Sequence, residues 1–146
     1  MRIQERISGG LIGLLVGDAL GVPFEFHSPE ALPPANWIEY QPPLDFARAH
    51  VGTPPATWPD DGAQALCLLA SLLDRGWLDP EDLGRRLLAS YDHGYPAVDG
   101  RVFDVGIQTG VALQTQRRGM PALQAGSTEE LAVGNGSLMR VLPLAL

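Results

Sequence analysis

The sequence is poor in three things, and each scarcity excludes a class of protein. It has one cysteine, Cys67, which rules out an intramolecular disulfide and cannot alone build a thiolate metal cluster. Set in an apolar helical pattern, that thiol is expected to be buried and inert. Basic residues are few: 10 Lys+Arg against 17 Asp+Glu give a net charge of -7, and the ten are scattered rather than striped. Phosphate backbones need a basic stripe, so nucleic acid is excluded as the main partner, whereas an acidic surface can still hold cations. Long apolar runs are also missing, since "MRIQERISGGLIGLLVGDAL" interrupts its apolar residues with Glu5 and Asp18, unlike the continuous core of a signal peptide. No membrane association is expected, and the expected location is the cytoplasm.

What is present fits one packed domain. With 45% hydrophobic content over 146 residues the chain can bury a single core, so residues 1–146 are read as one domain. Ile3, Ile7, Leu11, Leu14 and Leu15 recur at helical spacing and predict an amphipathic first helix ending near Leu20 and Gly21. Gly9, Gly13, Gly17 and Gly21 recur every fourth residue. Each interior glycine costs roughly 1 kcal/mol against alanine, so the stripe predicts a closely packed neighbouring helix and a central place for this one.

Prolines crowd between Pro23 and Pro59 with no period of either kind, which predicts a long loop of the sort that serves a site or moves. A second helix follows Asp60 and Asp61, burying Ala65, Leu66, Leu69, Leu72 and Leu73 and stopping at Gly76. A third opens at "DPED", with Asp79 as N-cap, Pro80 in the first turn, and Leu83, Leu87, Leu88 and Tyr91 facing inward. A fourth is predicted from Phe103 to Arg118, closed by Gly119 and Pro121. No segment reads as a strand, so the predicted class is all-α. "GNGSLMRVLPLAL" opens like a turn into a helix and then stops on apolar residues without cap or polar tail, the ending expected of the N-terminal part of a longer domain.

The polar residues admit paired readings. With Asp61 as N-cap, Gln64 falls at the third helical position and makes a near capping box. Alternatively, Asp60 and Asp61 are two hard carboxylates on one rigid turn, the ligand type that Mg²⁺ and Mn²⁺ prefer. Asp18 lies near a helix C-terminus, where it opposes the macrodipole and needs a partner across the fold. Glu25, between Phe24 and Phe26, is either an exposed loop glutamate or a desolvated carboxylate suited to acid/base work. The "GNGS" run at Gly134, Asn135, Gly136 and Ser137 is either a plain turn or a concavity of backbone N–H groups that suits a diphosphate. His27, His50 and His93 show no ligand spacing and are read as surface or loop residues.

Taken in order, "GGLIGLLVGDALGVPFEF", "WPDDGAQAL", "RVFDVGIQT" and "GNGSLMRVLPLAL" resemble the N-terminal half of the ADP-ribosylglycohydrolase family. The resemblance implies an all-α, orthogonal multi-helix bundle, incomplete here at its C-terminus. It implies a hydrolase that cleaves the glycosidic bond of ADP-ribose attached to a protein side chain, or of a related ADP-ribose compound, using a two-metal Mg²⁺ or Mn²⁺ site. An ADP-ribosylated protein or an ADP-ribose-containing small molecule would be the partner. Carried over by residue, Asp60 and Asp61 become metal ligands, Glu25 and Asp61 the catalytic carboxylates, and Asp18 a buried support of the first helix. Gly134, Asn135, Gly136 and Ser137 become the diphosphate-ribose site.

Two departures from the family pattern bear on activity. The family usually has threonine or serine before the paired aspartates, with a hydroxyl that also ligates metal; here the residue is Pro59. The family's second acidic cluster lies downstream of the last motif, so this chain is expected to hold half the metal ligands and to be inactive alone. The alternative reading is a catalytically inactive module that binds ADP-ribose or a nucleotide.

Overall fold

Four α-helices and five short 3-10 helices make up the computed structural model, which describes residues 2–146; there is no strand among them. The helices are α1 (Ile3–Gly21), α2 (Asp60–Arg75), α3 (Pro80–His93) and α4 (Ile107–Arg117). The chain divides into two compact units, one ending at Trp58 and the other spanning Pro59–Leu146. The all-α class is as predicted.

In the first unit α1 starts at Arg2, whose backbone N–H and guanidinium both donate to the Glu5 carboxylate, at 2.9 and 3.0 Å. It runs directly into the 3-10 turn Val22–Phe24, where Val22, Pro23 and Phe24 are all buried. Within α1 itself only Ala19 is buried. Ile12 and Val16 are 60% and 44% exposed, and a Cβ placed on any of the four stripe glycines would meet nothing within 4 Å. Among the described residues no helix packs on the glycine stripe, and the expected one-sided apolar face is not found. Apolar residues surround α1, the composition of a helix covered on every side. Counted with its 3-10 extension, the segment Ile3–Phe24 contains an 18-residue stretch of mean hydropathy 1.6 and is long enough to cross a membrane, a property also shared by core helices of soluble proteins. The proline-rich segment is a loop as predicted, punctuated by the 3-10 turns Pro29–Ala31 and Ala35–Trp37.

The second unit is built on α2 and α3. The buried residues of α2 are Asp60, Gly62, Ala63, Gln64, Ala65, Cys67, Leu68 and Ser71; Ala65 is buried as predicted, but most of the buried face is rotated from the predicted one, and Leu73 is exposed. The run "ALCLLASLL" is apolar nearly all round, so its composition leaves the buried side open. Cys67, Leu87 and Leu113 form the core, with Leu83 and Leu88 packed against it. Gly76 ends α2 in the left-handed region at φ 74°. Asp79 caps α3 as predicted, accepting hydrogen bonds from the backbone N–H of Glu81 and Asp82, each at 3.1 Å. Gly94 ends α3 at φ 70°, and a Cβ there would lie 1.7 Å from the Gly100 carbonyl oxygen, so only glycine lets the chain fold back. Tyr91 is 39% exposed, not inward-facing. The last predicted helix begins at Ile107 rather than Phe103, because the chain from Phe103 to Gly106 is non-helical, with Asp104 at φ 58°. After "GNGS" comes a turn and the 3-10 helix Leu142–Ala145 instead of an α-helix.

Candidate active site

The N-cap of α2 is Pro59, which supplies no side-chain hydrogen bond. Asp61 is therefore not the cap, and the capping-box reading is corrected: Asp60 and Asp61 are the first two residues of the helix. The dipole of that first turn favours negative charge there. Gln64, one turn on, points inward and not back to the cap. Its Nε2 donates to Asp60 Oδ2 at 2.6 Å, and Arg140 Nη1 donates to Gln64 Oε1 at 2.5 Å. Asp60 and Gln64 are 3% and 4% exposed, so a polar chain from Arg140 through Gln64 to Asp60 runs through the interior of the second unit. Burial pulls the Arg140 guanidinium below its ordinary range, and the negative charge of Asp60 pushes back.

Asp61 is half-buried. Desolvation raises its carboxyl above the usual range, and the charge of Asp104 adds to the rise. Carboxylates collected on one turn, with a further acid close enough to be felt, are a hard oxygen donor set that suits Mg²⁺ or Mn²⁺. A divalent cation would offset the repulsion from Asp104, the lesser of the two causes of the rise. Pro59 is buried and has no side-chain oxygen to add to that set.

The "GNGS" turn lies in the same unit. The Gly134 N–H donates to Gln108 Oε1 at 3.0 Å. A Cβ on Gly136 would sit 2.7 Å from Thr109 Oγ1, so glycine lets the turn close on the first turn of α4. The carbonyl of Asn135 accepts from the N–H groups of Leu138 and Met139, at 2.8 and 3.1 Å. Among the described residues no internal acceptor takes the N–H of Gly136 or Ser137. Two neighbouring amides left in this way are the elements of an anion-binding turn.

Glu25 belongs to the first unit. It is neither an isolated desolvated carboxylate nor a freely exposed one, because His50 Nε2 donates to its Oε2 at 2.5 Å. Asp18 is half-buried near the end of α1. Of the three histidines read as plain surface or loop residues, only His93 is exposed; His27 and His50 bridge parts of the proline-rich loop. The structure thus adds Gln64, Arg140 and His50 to the residues of interest. The spacing of four between Asp60 and Gln64 was a legible signal, and Arg140 sits inside the last motif. Nothing local ties His50 to a glutamate 25 residues away.

Comparison with known proteins agrees with these motifs. The sequence profile of the ADP-ribosylglycohydrolase family matches residues 1–146. The chain is 33% identical to ADP-ribosylarginine hydrolase Tri1 of Pseudomonas putida (strain GB-1), over 97% of its own length and 36% of the relative's. It is 28% identical to ADP-ribosylhydrolase ARH3 of Danio rerio, over 97% of itself and 37% of that protein. A solved structure, an ADP-ribosylglycohydrolase-related protein complex, superposes with a TM-score of 0.72 at 35% identity, covering 97% of this chain and 42% of that one. The chain thus spans roughly two fifths of the length of the relatives it matches. It belongs to the ADP-ribosylglycohydrolase family.

Proposed function

We propose that this chain carries part of the site of a metal-dependent hydrolase that cleaves the glycosidic bond between ADP-ribose and a protein side chain, acting in the cytoplasm. Relatives named ADP-ribosylarginine hydrolase make arginine the first side chain to test. The observation that carries the reading is the buried Arg140–Gln64–Asp60 chain, which joins the paired-aspartate motif to the "GNGSLMR" motif in one unit. Asp60 and Asp61 are the residues that would hold Mg²⁺ or Mn²⁺. When bound, such metals orient ribose hydroxyls and acidify a water. The amides of Gly136 and Ser137 would take the negative charge of the diphosphate. In the reaction a water oxygen bonds to C1 of the ribose and the bond from C1 to the side-chain nitrogen breaks. Its electron pair leaves with the nitrogen, which picks up a proton, and Glu25 or Asp61 accepts the proton from the water.

The test is release of free ADP-ribose from an ADP-ribosylated arginine substrate by the full-length protein, with Mg²⁺ or Mn²⁺ and with chelator. Release only with metal is expected; no release by folded, metal-loaded protein sinks the reading. Pro59 favours a second reading, a binding module without turnover, because the position before the aspartates offers no hydroxyl ligand. Calorimetry separates the two: ADP-ribose affinity that is indifferent to divalent metal supports the module.

A further inference from the structure

We propose that His50 is a positioning residue for Glu25, and that the stretch from Phe46 to His50 is a clasp that holds the Glu25 turn in one arrangement. The proposal rests on the reading of Glu25 as a carboxylate of the reaction.

Two short stretches of the first unit, 23–27 and 46–50, are tied at successive points. The Ala49 N–H donates to the Pro23 carbonyl at 2.9 Å. Phe24 and Phe46 pack ring to ring at 5.3 Å, and His27 lies on Phe46 at 4.8 Å. The two ring nitrogens of His27 face the carbonyl oxygens of Glu25 and Ala47, each at 2.8 Å. The ring donates to one of them in either neutral tautomer and to both as an imidazolium. At the tip, His50 Nε2 donates to Glu25 Oε2 at 2.5 Å, while the Phe26 ring covers the imidazole at 5.5 Å.

The backbone also points to a held arrangement. Phe26 and His50 both have positive φ, 63° and 49°, a region that bulky L-residues avoid unless their surroundings over-determine them. One is the chain neighbour of Glu25 and the other is its hydrogen-bond partner. Phe26 remains 80% exposed, so burying its ring does not explain its backbone. The side chains of His50 and Glu25 are 17% and 25% exposed, open enough for water to reach the carboxylate. A charge-assisted bond to one carboxylate oxygen selects a rotamer of Glu25. Proximity and orientation of a reacting group account for large factors in rate, so a residue that fixes the carboxylate acts on turnover more than on binding.

The experiment uses the full-length protein with His50→Gln, His50→Ala, Glu25→Gln and the His50→Ala/Glu25→Gln pair. Turnover of an ADP-ribosylated arginine substrate, calorimetric ADP-ribose affinity and ¹⁵N shifts of the histidine rings are measured. His50→Ala is expected to lower kcat by about tenfold or more, with ADP-ribose affinity unchanged within about twofold. His50→Gln should keep more of the activity, because its amide can still donate to Glu25. In the Glu25→Gln background, losing His50 should cost nothing further. An unchanged kcat in His50→Ala, or effects of the two substitutions that multiply, overturns the proposal. If the unsubstituted protein has no hydrolase activity, the functional reading fails by itself. The His50 ring shift on Glu25→Gln then still decides the clasp: a changed shift supports it and an unchanged one overturns it.

Discussion

At Asp60 the local sequence and the tertiary structure ask for different things. A carboxylate in the first turn of a helix is favourable by itself, but one that is 3% exposed needs a hydrogen-bonding partner, and Gln64 supplies it. On the proposed reading Asp60 is a metal ligand; partners behind such a ligand set its orientation, and their loss typically costs about 10–100-fold in affinity. Gln64→Ala in the full-length protein is therefore expected to weaken Mn²⁺ binding by about that factor in calorimetry, with the helical circular dichroism unchanged. Cys67 gives the opposite lesson, since here pattern and structure agree. The thiol is fully buried, and desolvation pushes it up to about 11. At pH 8 native protein should leave a disulfide reagent unreacted on the timescale in which unfolded protein consumes it at once, because the thiolate is the reacting species.

Between elements, the contact of α2 with α3 is fastened at its polar edge by Arg86, which Asp82 of its own helix holds in place. The Asp82 carboxylate accepts from Arg86 Nε at 2.7 Å and from Arg85 Nη2 at 2.9 Å, with Arg75 at 3.7 Å, while Arg86 also reaches Asp74. The Arg86 guanidinium is the main reason its carboxyl is held down to about 2. A depressed acid stabilises the fold above its unfolded value and loses that contribution as pH falls through its folded value. The melting temperature of Asp82→Asn should thus lie below that of the parent at pH 7, and the gap should close as pH falls from about 4 to about 2. The caps of these helices were readable because Asp79 and Gly76 act through bonds a few residues long. The buried face of α2 was not, since hydrophobicity in "ALCLLASLL" has no single direction and the neighbouring helix chooses the side.

Over the whole chain, apolar surface is the unbalanced term. Ile3, Ile12, Leu44, Leu123, Leu131 and Val133 are each at least 60% exposed, along with much of α1. Exposed apolar surface on this scale drives association, so the 146-residue chain alone is expected to bind a hydrophobic dye strongly and to sediment as more than a monomer. Weak dye binding by a monomer would contradict the exposed state of α1. What the sequence determined by itself was local. Helix existence, the Asp79 and glycine stops, the proline-rich loop and the family motifs all follow from interactions within a few residues, where propensity, capping and φ restriction act. What only the tertiary structure decided was pairing at long range. It tied Arg140 to Gln64, His50 to Glu25 and Asp104 to the charge felt by Asp61, and among the described residues it packed none on the glycine stripe of α1. Such contacts depend on where the chain returns, and no period or spacing along the chain records that.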